Sequence, residues 1–289
     1  MFDWTILLSS LIHGLTTGAL YALVALGLTL IYGVLHIINF AHGSLLMLAL
    51  YGVYFFHGWG VDPYLSLFLM APAMFGLGYA LQRWIIGRAS HGKDENILLV
   101  TLGLSIVIEN LALYFFRSDT RTIDTAYTFK TLELGFILIP VPKVVALFGA
   151  LAAALLLWLF ISRTDTGRAI RAVSKERQGA LLVGIDVEHI YALSFGIGLA
   201  CLGVAASLLL PAYYVTPSVG HGFVLIAFTI VVLGGMGSFM GALLGGGIIG
   251  VVESLGGLYL GESLGQIGIF IIFIGILLFR PAGLFGQRA

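Results

Sequence analysis

Apolar stretches of about twenty residues, the length a helix needs to cross a bilayer core, recur from one end of this chain to the other. They fall at roughly 6–33, 38–56, 64–86, 97–116, 143–162, 190–213, 223–238, 239–260 and 264–280. Only helices and closed barrels satisfy their backbone polar groups in hydrocarbon. A barrel strand alternates apolar and polar residues, and no such alternation is present. The expected fold class is therefore all-α: a polytopic transmembrane helical bundle of eight to ten spans, one domain over 1–289. Composition agrees, since 10% of residues are charged and mean hydropathy is +1.06, against about 25% charged in soluble domains. The seventh stretch is short and broken by glycine, so it reads as a half-helix or a re-entrant piece. The opening MFDWTILL lacks a basic segment and carries Asp3, so it reads as a retained first span rather than a cleaved leader. A single cysteine, Cys201, rules out an internal disulfide.

The charges are unevenly placed. Residues 163–189 hold nine of the 28 Asp, Glu, Lys and Arg residues. Lys and Arg set orientation, with the richer side cytoplasmic. One side holds Arg83, Arg88, Lys93, Arg163, Arg168, Arg171, Lys175, Arg177, Arg280 and Arg288; the other holds Arg117, Arg121, Lys130 and Lys143. With nine spans, the N-terminus is then outside and the C-terminus cytoplasmic. The 117–142 loop is the one extracytoplasmic stretch long enough to meet a partner. Small residues at four-residue spacing (Gly14, Gly18, Ala22; Gly237, Gly241, Gly245) let helices approach closely where lipid offers no hydrophobic drive.

Within the charged segment, Thr166 to Val183 is expected to form one helix, entered through Thr164, Asp165 or Thr166 as cap and stopped by Gly184. At 100° per residue, Arg168, Arg171 and Lys175 lie opposite Ile170, Val173 and Leu181. Such a helix could rest on anionic lipid or meet a soluble partner, and composition alone leaves both open.

The motifs narrow the choice. GRAIRAVSKERQGALLVGIDVEHIYALSF resembles the cytoplasmic coupling segment of the branched-chain amino acid ABC transporter permease family, of the first of its two permease types. YALVALGLTLIYGVLHIINFAHGSLLMLALY resembles that family's opening signature, with NFAHG at Asn39 to Gly43, and IVVLGGMGSFMGALLGGGIIGVVESL and LLFRPAGLFG resemble its closing motifs. They occur in the family's order over nearly the whole chain. The resemblance implies a subunit of the bacterial cytoplasmic (inner) membrane with no ATPase or cofactor of its own. Implied partners are cytosolic ABC ATPase subunits, a second related permease, an extracytoplasmic substrate-binding protein, an amino-acid substrate and membrane lipid, with no nucleic acid. ATPase coupling would fall on Gly167, Arg168, Arg171, Ala180, Gly184 and Ile185. The sequence departs from the family's pattern in IIGRASHGKDEN, which lacks an Arg-Pro, and at Ile226-Ala227-Phe228, which lacks a Lys.

Polar residues inside apolar sequence are the remaining candidates, because a mid-bilayer charge costs about 2.5–3.5 kcal/mol on insertion scales. Asn39, His42, Glu109, Asn110 and Glu253 are candidates for a translocation path, against the plainer reading of helix-to-helix hydrogen bonds. His42 has no companion at metal spacing. His221 and Pro217 read as outer-side residues. Gly234, Gly235 and Gly237 are candidate helix-break or gating positions. Two motif hits carry nothing. Gly87–Lys93 fits a phosphate loop, but Asp94 stands where Ser or Thr should hold magnesium, and Gly261–Gly265 fits a nucleophile elbow without a sheet.

The function these readings favour is an importer permease for branched-chain amino acids. A urea, amide or other amino-acid permease is the alternative within the class. A secondary proton-coupled transporter would show inverted repeats with paired broken helices, and none is evident in the sequence. No metal spacing or nucleophile–base pair suggests an enzyme.

Overall fold

The computed structural model describes residues 4–90, 94–134, 137–280 and 283–285. Lys93 and Arg288, counted above for orientation, and part of the Gly87–Lys93 stretch lie outside the described residues. The expected spans all return as helices. They are α1 (Trp4–Leu35), α2 (His42–Gly58), α3 (Leu67–Ala80), α5 (Asp94–Phe116), α6 (Val141–Arg163), α9 (Val187–Leu209), α10 (Val219–Gly234), α11 (Phe239–Leu260) and α12 (Glu262–Phe279). α3 runs on through a π-helical turn (Leu81–Ile86) into α4 (Gly87–Ser90). Five of the described helices are long and apolar enough to cross a membrane, while α2, α3 and α10 have 17, 14 and 16 residues. A small antiparallel hairpin, β1 (Thr131–Leu134) with β2 (Ile137–Pro140), sits in the 117–142 loop. Four-residue strands are too short for a periodicity signal, so the sequence did not predict them.

The charged segment differs from its expectation. It forms two helices, α7 (Asp165–Lys175) and α8 (Arg177–Leu182), broken at Glu176 with φ −154° and ψ 103°. Glu176 accepts a hydrogen bond from the Gln178 amide at 3.2 Å, so a side-chain cap competes with helix continuation there. The end of the bundle bearing α7–α8 is called the basic end below, and the opposite end the hairpin end.

α1 is the central post. From Leu20 to Leu28 its side chains are nearly all buried, and it packs against α6, α9, α10 and α11. The small residues spaced along it fit α11: a side chain on Gly14 would strike Gly250 and Val251, and one on Gly18 would strike Gly246. The Gly241 and Gly245 positions of α11 meet α10 instead, at Gly234 and Ile230.

Two of the short helices begin deep in the bundle. The His42 ring Nε2 reaches the Val24 carbonyl at 3.0 Å. At 1.5 Å per residue, Val24 lies about 16 Å from the end of α1. After Leu35 the chain therefore doubles back, with His36 at φ 57°, and α2 starts mid-bundle and climbs to the hairpin end. α9 and α10 repeat this course upside down. Gly27 of α1 touches Gly198 of α9, and Gly43 touches Gly220 at the start of α10, which sets that start roughly 12 Å below the end of α9. α10 then runs to the basic end. The two short helices thus meet at their N-termini and diverge. The likeness between the two pairs lies in backbone course, which glycine-rich apolar sequence does not record.

Candidate functional site

The α6–α7 corner is built by local hydrogen bonds. Thr164 Oγ1 accepts from the Gly167 amide at 3.0 Å and donates to the Phe160 carbonyl at 2.7 Å, capping α7 as it closes α6. A side chain on Gly167 would collide with the Ile161 backbone, so the corner requires glycine. Arg171 donates to the Ile161 carbonyl, Ser174 Oγ to the Gly33 carbonyl, and Arg168 pairs with Asp165. Ile170 and Val173 are buried against the bundle, as expected from their spacing. Leu181, placed on the same apolar stripe by the one-helix reading, is exposed, because the break at Glu176 rotates α8 away from α7.

In α8, Ala180 is buried and its carbonyl receives the Ile185 amide at 3.0 Å. Gly184, at φ 85°, sits in the left-handed region that ends the helix and favours glycine. Arg177 lies over the Tyr191 ring at 5.8 Å. Leu182 and Val183 then project outward, 88% and 76% exposed, from the tip of an otherwise polar segment. Sequence reasoning missed this pair. The signal was the apolar run Leu181–Val183 beside a helix-stopping glycine.

The polar residues inside the bundle fall in three places. Asn39 and His42 are fully buried where α2 begins. Asn39 Oδ1 accepts from the Ala41 amide at 3.0 Å, and His42 fastens α2 to α1. Beside them, Glu109 Oε1 and His221 Nε2 are 2.8 Å apart, with side chains 20% and 65% exposed. They line a small cleft with Phe40, Ser44, Ser105 and Gly220. His221 thus lies in the first turn of α10, its ring joined to Glu109 of α5. Asn110 is exposed on the same helix, its Nδ2 donating to the Ile106 carbonyl at 2.8 Å. Gly103 and Gly222 nearby have open space where a side chain would stand. A polar pair of this kind at this depth is costly against lipid, so this α5–α10 face suits contact with protein or water.

Glu253 is elsewhere. It lies toward the hairpin end, within reach of the Tyr21 hydroxyl and the charge of Lys143. Tyr21 also stands beside Tyr213. Gly234, Gly235 and Gly237 are at the basic end, where α10 stops with Gly235 at φ 93° and Gly237 at φ 83°. The Leu284 amide donates to the Leu233 carbonyl there at 2.8 Å.

The family profile described as branched-chain amino acid transport system / permease component matches residues 10–279. The high-affinity branched-chain amino acid transport system permease protein BraD of Pseudomonas aeruginosa is 34% identical, over 97% of this chain and 96% of its own length. LivH of Escherichia coli, of the same description, is 30% identical over 97% and 96%. The solved structure of PsaBC from Streptococcus pneumoniae in complex with Fab covers 96% of this chain and 92% of its own, with a TM-score of 0.47 and 16% identity.

Proposed function

The chain belongs to the branched-chain amino acid transport permease family, and from that premise we propose that it forms half of the translocation path of an ATP-driven importer. It is a multi-pass membrane protein of the permease class. In this reading the basic end is cytoplasmic and docks an ATPase subunit through α7–α8, and the hairpin end receives a substrate-binding protein. The cargo is a branched-chain amino acid, as for BraD and LivH.

The observation that carries the reading is the build of α7–α8. It is capped at Thr164, bonded to α6 and α1 through Arg171 and Ser174, and tipped by the exposed pair Leu182 and Val183. Force applied at that tip passes by backbone-directed hydrogen bonds into the central post. α1 in turn carries α2, and α2 meets α10 beside the Glu109–His221 cleft. A second permease covering the α5–α10 face would enclose that cleft. Such an enclosure gives a zwitterion one acidic and one imidazole contact between walls of small and apolar side chains. Gly234, Gly235 and Gly237 then serve as the flexible stop of α10 at the cytoplasmic mouth.

The test is uptake of labelled leucine into vesicles holding the permease pair with and without the ATPases, with the binding protein supplied. ATP-dependent uptake is expected. Uptake by this chain alone, without ATP, would instead favour a secondary transporter.

A further inference from the structure

A pocket of about 290 Å³ opens beneath α7, between α1, α6 and the start of α11. Leu26, Leu30, Val34, Trp158, Ile161 and Phe239 make it chiefly apolar. It is about twice the roughly 150 Å³ of an apolar cavity that takes up benzene. The α6 flank beside it exposes Leu151, Leu155, Leu156, Trp158 and Leu159 with no polar residue among them, as a lipid-facing surface does. The path face, with Glu109 and His221, lies on other helices, so the pocket belongs to neither cargo nor cleft.

Two polar features mark the pocket's depth. Arg171 lines it and remains exposed, with Arg163 and Lys175 exposed on the same segment. One Arg171 donor serves the Ile161 carbonyl, and a guanidinium has five donors in a planar fork suited to phosphate. Thr29, also on the wall and 3% exposed, has a hydroxyl with no hydrogen-bond partner among the described residues. It stands one turn along α1 from Gly33, where Ser174 attaches, and so about 6 Å deeper than α7.

We propose that this pocket holds one acyl chain of an anionic phospholipid from the cytoplasmic leaflet, with the phosphate on Arg171 and an ester oxygen accepting from Thr29. The placement rests on the reading that α7–α8 lies at the cytoplasmic face. Basic pockets between helices on that side are suited to acidic headgroups. The lipid would wedge α6, α1 and α7 into one unit, making coupling sensitive to membrane composition.

The test uses the permease assembled with its partners in nanodiscs of phosphatidylcholine containing a minority of phosphatidylglycerol. Lipid retained after extraction is counted by native mass spectrometry. The wild type is expected to keep one phosphatidylglycerol with about a five-fold preference over phosphatidylcholine, the factor one basic residue supplies at a membrane surface. Arg171→Gln should lose the preference but still retain a lipid, and Arg171→Lys should keep most of it. Ser162→Trp, which fills the pocket from its α6 wall, should lose the lipid altogether. Retention unchanged in Ser162→Trp, or a headgroup preference unchanged in Arg171→Gln, overturns the proposal. Neither outcome bears on whether the assembly transports leucine.

Discussion

Replacing Gly220 with alanine tests whether the meeting of α2 and α10 holds the middle of the bundle together. The new Cβ would lie 2.4 Å from the Gly43 carbonyl oxygen and 2.5 Å from its carbon. Ordinary contact begins near 3.4 Å, so the two helix starts must part by about 1 Å, since close-packed interiors have no slack to take up the overlap. Both clashing atoms are backbone, and no side chain can swing aside. Overpacking costs about 1–3 kcal/mol, and the upper end applies here, roughly a 150-fold change in the folding equilibrium. Gly222→Ala, two residues along the same helix, is the control: its Cβ meets nothing within 4 Å, and alanine favours helix by about 0.8–1 kcal/mol. Cys201, the sole cysteine and a buried one, supplies the assay. A thiol-reactive fluorophore reports its exposure as the purified protein is heated. Gly220→Ala should melt well below the wild type and Gly222→Ala at or slightly above it. Equal midpoints for the two variants would refute the account of the α2–α10 contact.

The other predictions concern the proposed sites. Ala180→Trp and Gly184→Pro should abolish co-purification of the ATPase while leaving the permease inserted, because one overfills a buried position and the other cannot adopt φ 85°. Normal ATPase capture by both variants would remove α8 from the interface. Glu109→Gln should lower leucine transport roughly ten-fold or more, since a hydrogen bond to a charged group contributes about 1.5–3 kcal/mol; an unchanged rate with the assembled complex would take Glu109 off the path. At the hairpin end, Tyr127 donates to Asp62 at 2.9 Å and stacks on Tyr64 at 5.0 Å. Burial, then the charge of Asp62, raises Tyr64 from 10.0 to about 12, and burial with the Asp62 hydrogen bond raises Tyr127 further. Both phenols are favoured in neutral form, so the clamp's contribution is complete below pH 10 and is lost as pH climbs through about 12. In tyrosinate absorbance, Tyr127→Phe should remove one late-titrating residue relative to the wild type.

The charged segment at 163–189 shows how far local sequence carries. Thr164 as cap, Ile170 and Val173 as the inward face and Gly184 as the stop were all readable, because each depends on neighbours within four or five residues. The break at Glu176 was not, since its carboxylate competes with a helix that propensity alone would continue. The buried Asn39 and His42 were readable as polar residues at a junction. The partner of His42, the Val24 carbonyl, lies 18 residues away, and nothing near His42 in sequence points to it. His221 and Glu109 are 112 residues apart, and each alone looked like a residue near a span's outer end.

What the amino-acid sequence determined by itself is the set of apolar helices, their membrane character and the family. Span length, apolar content and ordered motifs are properties of contiguous residues, and the bilayer enforces them segment by segment. Only the tertiary structure decided where the short helices begin. The depth of α2 and α10 depends on a glycine of each helix touching the other across 177 residues of chain, Gly43 against Gly220. A glycine records no partner in its own neighbourhood. That contact puts two helix starts and a Glu–His pair in the middle of the bundle, and it arises only when the backbones are close enough to exclude every side chain but hydrogen.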